Sequence, residues 1–369
     1  MFQRQRQRVL ILRPDNIGDA VLFSGALKSL RRRWPDARID LALQPHVRNL
    51  FDLCPYVDRV VSTNRLFPWR LLKGSKIRGA WKLAELLREE RFPSFWYPSY
   101  DTVICPVSGL TEEILGVIRR IRAQEKLGYT GARLNLEPRM AEENRPEAVF
   151  TGGFRLAPDD HWIQELPRTR AFLQSCGIEA DDLSPEFWLS ADDEKFGEST
   201  IPGGVLGLFP GSTSKFRLWP VEKWQDLLNR QTLSKTIVAF GSAQDDPMIE
   251  GILSVCPDVG FECLNLAGKT TLRQLVACIK RCSALVSMET SGLHVAVACG
   301  IPAVALMGGH HFGRYYPWGD PAAHRTAQVD MECFPCRKEC KYGDYRCVPG
   351  IPVDTVLEEL GAATIRQGS

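Results

Sequence analysis

Short apolar runs alternate with segments of helical spacing along the first half of the chain. Residues 8–13, 38–43 and 102–105 are apolar runs typical of buried strands. Helical spacing covers residues 19–34, and a charged amphipathic helix is predicted at residues 80–91. Strands that alternate with helices of this length indicate βαβ units around a parallel sheet.

The second half repeats this alternation after a less regular stretch, residues 129–200, which contains one clear helix at 169–176 closed by Gly177. Strands are predicted at residues 204–209, 236–240, 284–287 and 301–307. Helices are predicted at residues 220–230, 272–281, 291–299 and 352–360. The fold class is therefore α/β, with two Rossmann-like doubly wound domains. Their predicted bounds are residues 1–190 and 191–351, followed by a C-terminal helix and tail at 352–369. Ligands of such sheets bind at the carboxyl ends of the strands, and we expect a central cleft between the domains.

Composition and charge exclude several classes of protein. Of the 369 residues, 44% are hydrophobic, which supplies two cores. Lys and Arg number 46 and Asp and Glu 44, so the net charge of +2 argues against binding nucleic acid through blanketing positive charge. The apolar run at residues 9–12 is too short for a signal peptide, and residues 290–313 are too interrupted for a membrane span. We expect a cytoplasmic protein whose twelve cysteines are reduced thiols or metal ligands rather than a disulfide framework.

The first candidate site is the turn at residues 13–19, between the first strand and the first helix. Gly18 allows close approach of the backbone, and Asp19 lies at a helix N-terminus, whose dipole keeps a carboxylate ionised. Such a carboxylate can accept a proton from a hydroxyl nucleophile. The structural alternative is that Asp15 or Asp19 only caps the helix.

The second candidate site is the loop at residues 209–220, which follows a strand and leads into a helix. Ser212 and Thr213 offer hydroxyl groups, and Lys215 and Arg217 offer positive charge. Together with backbone N–H groups they could cradle a diphosphate. The alternative is an ordinary polar loop.

The third candidate site is the segment at residues 289–294. Glu289 ends a buried strand and could hold ribose hydroxyls, while Thr290, Ser291 and Gly292 open the next helix. His294 falls within the first turn of that helix. The alternative here is that Thr290 or Ser291 is a helix cap and His294 a hydrogen-bonded core histidine.

Taken together, residues 13–19, 210–220 and 289–294 resemble glycosyltransferase family 9, the ADP-heptose:lipopolysaccharide heptosyltransferases, and the likeness extends over nearly the whole chain. The resemblance implies the two-domain GT-B architecture. It also implies inverting, metal-independent transfer of a heptose from ADP-heptose to a hydroxyl of a lipopolysaccharide-core or related envelope glycan, with no cofactor required for catalysis. The partners would be a nucleotide-sugar donor and a glycolipid or glycan acceptor, without nucleic acid. The arginines at 31–33 could bring the enzyme to the cytoplasmic face of the inner membrane.

The resemblance also implies roles for single residues. Asp19 matches the proposed general base, and Arg13, Asn16 and Gly18 lie beside it on the acceptor side. The donor-binding set that it implies is Ser212, Thr213, Lys215, Arg217, Asp245, Glu289, Thr290, Ser291, Gly292 and His294.

Two positions depart from the family pattern. Arg217 falls where a Lys is usual, which changes a point charge into a fork of donors. Glu289 falls where an Asp is usual, which lengthens the carboxylate arm. The alternatives are therefore another nucleotide sugar, a protein acceptor, or a catalytically degenerate protein that binds nucleotide sugars.

A last feature is the cysteine cluster formed by Cys333, Cys336, Cys340 and Cys347. Four thiols this close in sequence suit a structural metal, with zinc the default for four sulfur ligands. The resemblance adds iron, because a protein-heptosylating branch of the family has an iron-binding four-cysteine finger. Free thiols and partial disulfides are the alternatives.

Overall fold

The chain folds into two compact units, Met1–Pro185 and Glu186–Ser369. The computed structural model describes residues 6–66, 98–107, 109–131, 145–336 and 340–365. Within these residues each unit holds one six-stranded sheet, and all strand pairs in both sheets are parallel. The prediction of two α/β domains built on parallel sheets is confirmed. The helix predicted at residues 80–91 lies outside the described residues.

The sheet of the N-terminal unit is centred on the first predicted strand. Its strands are β1 (Arg8–Arg13), β2 (Arg38–Leu43), β3 (Arg59–Ser62), β4 (Thr102–Cys105), β5 (Glu125–Gly131) and β6 (Gly152–Leu156). They lie in the order β3-β2-β1-β4-β5-β6. Val9 to Leu12 are completely buried, because helices cover both faces of such a sheet.

The helix predicted at residues 19–34 is wrong as a single element. The structure has two helices there, α1 (Ile17–Phe23) and α2 (Ala26–Arg33). The Ser24 hydroxyl donates to the carbonyl of Val21 at 2.7 Å, in competition with the helical ladder. At Gly25 a Cβ would lie 2.3 Å from the carbonyl oxygen of Ser184, so this position has no room for a side chain.

Residues 129–200, for which the sequence predicts little regular structure, contain further strands and helices. The remaining α-helices that the structure describes in this unit are α3 (Glu112–Arg120), α4 (Pro146–Val149) and α5 (Glu165–Ser175). Strands β5 and β6 escaped prediction because glycine and polar residues fill them. A Cβ at Gly153 would lie 2.0 Å from the carbonyl oxygen of Gly128, so these two strands pair through a glycine contact rather than an apolar one.

The C-terminal unit repeats the design around another buried strand. Its strands are β7 (Val205–Phe209), β8 (Thr236–Ala239), β9 (Glu262–Asn265), β10 (Cys282–Met288), β11 (Ala303–Leu306) and β12 (His324–Ala327). They lie in the order β12-β11-β10-β7-β8-β9. The four predicted strands of this half are confirmed, whereas the more polar edge strands β9 and β12 were not foreseen.

Helices pack on this second sheet around a core that includes Trp219 and Trp224, whose rings meet edge to face at 5.1 Å. The helices are α6 (Ala191–Thr200), α7 (Val221–Arg230), α8 (Asp246–Leu253), α9 (Leu272–Ile279), α10 (Ser291–Ala298), α11 (Cys347–Gly350) and α12 (Val353–Thr364). No helix among the described residues has the length and apolar character needed to cross a bilayer.

One pair of cysteines corrects the expectation of reduced thiols. A disulfide joins Cys256, just after α8, to Cys263 in β9. The turn between these elements brings the two Cα atoms to 6.5 Å, within the range that a disulfide spans. The other cysteines that the structure describes form no disulfide.

Candidate active site

The turn after β1 places Asp19 in the first turn of α1, where it is half-buried. The N-cap position of α1 is taken by the exposed Asn16, whose side chain makes no capping bond. The alternative in which Asp15 or Asp19 serves as the cap is therefore wrong. Asp19 lies instead within the first turn of α1, and the N-terminus of a helix favours negative charge.

Arg13 is the structural centre of this turn. It is 1% exposed and forms an ion pair of 2.7 Å with Asp15. Its guanidinium also donates to the carbonyl oxygens of Pro106 at 2.6 Å and Asp19 at 3.1 Å, and it stacks over the ring of Phe23. Arg13 thus holds the backbone at Asp19. The prediction of a functional carboxylate at Asp19 rested on Gly18 and the helix dipole alone.

A second buried ion pair adds to the charge around the turn. Arg168 and Glu165 on α5 lie 2.5 Å apart, and both are almost fully buried. Burial raises the pKa of Asp15 in spite of the neighbouring charge of Arg13, which lowers it. Sequence reasoning missed Asp15 as a partner of Arg13 and missed Glu165 and Arg168, because helix α5 was predicted to begin only at residue 169.

In the C-terminal unit, the loop after β7 contains the residues that are predicted to bind a diphosphate. Residues Lys215–Arg217 form a short 3₁₀ helix. Arg217 donates to the hydroxyl of Thr213 at 3.3 Å, and the hydroxyl of Ser212 accepts from the N–H of Ser214 at 3.3 Å. Lys215 is exposed. The loop is anchored at its end by buried Trp219, whose indole N–H donates to the carbonyl of Ile351 at 3.0 Å.

Glu289 brings the second and third predicted sites together. It follows β10, is 7% exposed, and its carboxylate lies 3.4 Å from the guanidinium of Arg217. The Nδ1 atom of His311 lies 3.9 Å from the same carboxylate. Burial raises the pKa of Glu289, but the neighbouring His311 and Arg217 outweigh burial and lower the pKa below its ordinary value.

Two adjacent histidines, His310 and His311, are functional candidates that sequence reasoning missed. They follow β11, at the same edge of the sheet as Glu289, and their rings lie 4.4 Å apart. Ligand atoms of Glu289, His310 and His311 lie within 4.8 Å of one another, so the three side chains could hold a divalent cation. Two histidines directly after a predicted strand were the available signal, since ligands gather at that end of strands.

The start of α10 is shaped by close packing. Thr290 is the N-cap of α10 but makes no capping bond, and its hydroxyl donates to the carbonyl of Met288 at 3.4 Å. Ser291 is the first residue of the helix. A Cβ at Gly292 would lie 2.2 Å from the ring of Phe209, so glycine is needed for α10 to approach β7.

His294 lies beneath this region rather than in an open cavity. It is 3% exposed, and its Nδ1 accepts a hydrogen bond of 3.1 Å from the indole N–H of Trp318. Burial lowers the pKa of His294 to about 4, so the side chain is neutral at pH 7. This geometry fits the alternative of a hydrogen-bonded core histidine.

Asp245 packs against the loop after β7. Its carboxylate accepts from the N–H and hydroxyl of Ser242, both at 2.7 Å. A Cβ at Gly211 would lie 2.6 Å from the Asp245 carboxyl carbon. The structure therefore brings Asp245 to the loop that carries Ser212 and Thr213.

A cavity of about 310 Å³ opens beside Arg217. One part of its lining carries a guanidinium and two imidazoles, and another part carries aromatic rings. The lining residues are Ser214, Phe216, Arg217, His310, His311, Tyr345 and Cys347. The arrangement places a guanidinium and two imidazoles where an anionic group of a ligand would lie, at the carboxyl end of a parallel sheet.

Comparison with known proteins shows the family of this chain. Residues 141–346 match the model of glycosyltransferase family 9 (heptosyltransferase). Lipooligosaccharide heptosyltransferase 2 of Haemophilus influenzae is 31% identical over 369 residues, which cover 95% of this chain and 98% of that protein. The chain belongs to glycosyltransferase family 9. Lipopolysaccharide heptosyltransferase 2 of Salmonella typhimurium is 27% identical over 381 residues, covering 98% of this chain and 99% of that protein.

The fold of this family 9 glycosyltransferase agrees with a solved structure. The structure of Escherichia coli ADP-heptose LPS heptosyltransferase II superposes with a TM-score of 0.68 at 20% identity, covering 98% of this chain and all of that chain (100%). The GT-B fold that the resemblance implied is confirmed, and the chain is a glycosyltransferase.

The four clustered cysteines of the family 9 chain line one small cavity beside His310 and Tyr345. None of the four forms a disulfide, so the alternative of partial disulfides is wrong. Among the described residues, Glu289, His310 and His311 are the one group with three metal-ligand atoms within 4.8 Å, so the four sulfurs surround a common space without forming a closed ligand set. Burial raises the pKa of Cys340, but hydrogen bonds from the backbone N–H groups of Tyr345, Tyr342 and Gly343 outweigh it and lower the pKa, which favours the thiolate that binds metals.

Proposed function

We propose that this glycosyltransferase transfers a heptose from ADP-heptose to a hydroxyl of a lipopolysaccharide-core glycan, with inversion and without a metal in the chemistry. The observation that carries the proposal is Arg217, which lies 3.4 Å from buried Glu289 and lines the 310 Å³ cavity with His310 and His311. The names of the relatives, lipopolysaccharide and lipooligosaccharide heptosyltransferases, support the choice of donor sugar and acceptor.

In this proposal the donor diphosphate lies on the loop after β7. Arg217 and Lys215 supply positive charge, and Ser212 and Thr213 supply hydroxyl donors. The Arg217 contacts within the protein are 3.3 to 3.5 Å long, so they are weak and can be exchanged for shorter bonds to phosphate oxygens. Glu289 then becomes free to accept hydrogen bonds from ribose hydroxyls. Protein cations stabilise the departing ADP, which is why no metal is needed.

The proposed general base is Asp19. As the acceptor oxygen forms its bond to the anomeric carbon, the bond from that carbon to the diphosphate oxygen breaks, and ADP leaves with the electron pair. The acceptor proton passes to the Asp19 carboxylate, which the N-terminus of α1 keeps ionised. Attack opposite the leaving group inverts the anomeric centre, as in hydrolases that use a base on the opposite face.

We also propose a structural zinc or iron ion at Cys333, Cys336, Cys340 and Cys347. The support is that all four thiols line one cavity and that backbone N–H groups favour the thiolate of Cys340. The ion would hold the segment after β12 together and take no part in transfer. Metal analysis of anaerobically purified protein is expected to find about one equivalent of zinc or iron, lost in Cys340→Ser and kept in Cys176→Ser. Metal-free wild-type protein would exclude the ion.

We place the enzyme at the cytoplasmic face of the inner membrane, where such an acceptor is made. Arg32 and Arg33 at the end of α2 are exposed, whereas Arg31 is bound to Asp58 and to nearby backbone carbonyls. Two exposed arginines attract an anionic lipid surface weakly. Sedimentation with vesicles should show binding to anionic but not zwitterionic lipid, and a double Arg32→Ala, Arg33→Ala variant should bind less.

Calorimetric titration with ADP, UDP and GDP, followed by turnover with ADP-heptose and a lipopolysaccharide-core acceptor, tests the function. Selective ADP binding and transfer of heptose with inversion are expected. Tight binding of UDP or GDP would replace the donor and keep the fold. No binding of any nucleotide would favour a degenerate protein, and transfer only to a protein would replace the acceptor.

A further inference from the structure

A pair of stacked aromatic rings faces the cavity beside Arg217, and the proposed chemistry does not use it. Phe216 stacks on Tyr345, with ring centroids 4.7 Å apart and planes inclined by 29°. Both side chains line the 310 Å³ cavity. Phe216 is nevertheless 57% exposed, so one face of its ring is covered by Tyr345 and much of the remainder is open.

Both rings are held in unfavourable positions. Phe216 lies between two cationic residues in the 3₁₀ helix Lys215–Arg217, where an exposed apolar ring gains nothing from the core. Tyr345 has φ of +53°, and among the described residues it is the one non-glycine residue with positive φ. Its backbone is tied to two cysteines, since its N–H donates to the sulfur of Cys340 and its carbonyl accepts from the thiol of Cys347. Strained backbone that the surroundings impose is a feature of ligand-binding sites.

The chemistry of the cavity points to the part of the donor that would cover the rings. Arg217, His310 and His311 are suited to the diphosphate, and a sugar ring is attached directly at each end of a diphosphate. Glu289 is assigned to the ribose at the nucleoside end, and it does not line this cavity. The other end is the transferred sugar. The C–H face of a pyranose packs well on an aromatic ring, because both surfaces are flat and poorly hydrated.

We propose that Phe216, supported from behind by Tyr345, is the surface on which the transferred sugar of the donor stacks. The inference rests on the proposed function, since it assumes a nucleotide-sugar donor whose diphosphate lies on Arg217. The ring pair then selects donors by the shape of the sugar, whereas Arg217 binds any nucleoside diphosphate. Phe216 is a binding residue in this scheme and moves no proton.

The test compares ADP with ADP-heptose in calorimetric titrations of four proteins. These are the wild type, Phe216→Leu, Phe216→Trp, and Leu233→Ala as a control at an exposed apolar residue away from the cavity. Phe216→Leu keeps apolar bulk and removes the ring face. It should weaken ADP-heptose binding roughly 2- to 10-fold while the affinity for ADP stays unchanged. Phe216→Trp should restore the affinity for ADP-heptose, and Leu233→Ala should change neither ligand.

Three outcomes would overturn the inference. Unchanged affinity of Phe216→Leu for ADP-heptose would remove the stacking surface, and an equal loss for ADP and ADP-heptose would assign the ring to the nucleotide or to folding of the loop. A change confined to the KM of the acceptor would assign it to the acceptor. Failure of the wild type to bind ADP would reject the proposed donor instead. The same comparison is then made with UDP and UDP-glucose or GDP and GDP-mannose, and absence of binding to all of them rejects both proposals.

Discussion

The two units use an arginine beside an acidic residue in opposite ways. In the N-terminal unit Arg13 is 1% exposed and pairs with Asp15 at 2.7 Å, whereas in the C-terminal unit Arg217 is 21% exposed and lies 3.4 Å from Glu289. The first guanidinium donates to the backbone carbonyls of Pro106 at 2.6 Å and Asp19 at 3.1 Å. The second has only long contacts and faces a cavity.

This difference separates positioning from binding. A buried guanidinium with short bonds to backbone carbonyls fixes the geometry of the turn that carries Asp19. A partly exposed guanidinium with long contacts can exchange them for a phosphate at little cost. Each arginine lies at or beyond the carboxyl end of a strand, and burial and distance decide which role it has.

The largest effect is expected at Asp19 itself. Asp19→Asn removes the base but keeps the size of the side chain, so kcat should fall roughly 10²- to 10⁴-fold while ADP binding is unchanged. Steady-state kinetics and calorimetry measure the two quantities. Asp52→Asn, at an exposed carboxylate of the same unit, is the control and should behave as wild type. Loss of ADP affinity in Asp19→Asn with normal turnover of the bound donor would refute the assignment.

The next largest effect is on the stability of the N-terminal unit. Arg13→Ala leaves the Asp15 carboxylate buried and unpaired, so the free energy of unfolding should fall by about 3–5 kcal/mol. Arg32→Ala is the matched control, because the ion pair of Arg32 with Asp181 is 3.8 Å long and exposed. Its effect in urea denaturation should stay below about 1 kcal/mol. Equal effects of the two substitutions would contradict a structural role for Arg13.

Acid pH should act mainly through the C-terminal unit, which contains buried neutral histidines. The pKa of His294 is lowered by burial to about 4, so between pH 6.5 and pH 4 the unfolded chain binds a proton that the folded chain does not. Stability is therefore complete above pH 6.5 and falls as the pH drops towards 4, by at most about 3 kcal/mol. His324, whose pKa burial also lowers, adds to the same slope.

His294→Gln tests this assignment by urea denaturation at pH 7 and pH 4.5. The glutamine side chain can still accept from Trp318 but does not titrate, so the loss of stability on acidification should become smaller. An unchanged pH dependence in His294→Gln would assign the slope to other groups.

The smallest effect in free energy is expected at Arg217. Arg217→Ala removes charged hydrogen bonds to the diphosphate and should weaken ADP binding roughly 10- to 100-fold. The free energy of unfolding should fall less than in Arg13→Ala, because the contact of Arg217 with Glu289 is 3.4 Å long and His311 stays beside that carboxylate. Arg217→Lys restores the residue usual in the family and should recover much of the affinity. Lys195→Ala, exposed on α6, serves as the control. A large loss of stability in Arg217→Ala would make this arginine structural, like Arg13, and would remove the contrast between the units.

Much of the architecture could be predicted from local sequence. Apolar runs such as Val9 to Leu12 are buried on both faces, so they report a central parallel strand without further information. Strands β5 and β6 could not be found in this way, because their pairing depends on the contact of Gly128 with Gly153. The break between α1 and α2 likewise depends on Leu183 and Ser184, residues far along the chain from Gly25.

The sequence by itself determined the two α/β domains, the loops at the carboxyl ends of their strands, and the family. These follow from periodicity and short motifs, which are local properties of the chain. Only the tertiary structure decided that Arg13 is buried with Asp15, that His294 is a neutral core residue, and that His310, His311 and Tyr345 join Arg217 at one cavity. Burial and proximity set the strength of a charge and the space open to a ligand, and both arise from contacts between residues distant in sequence.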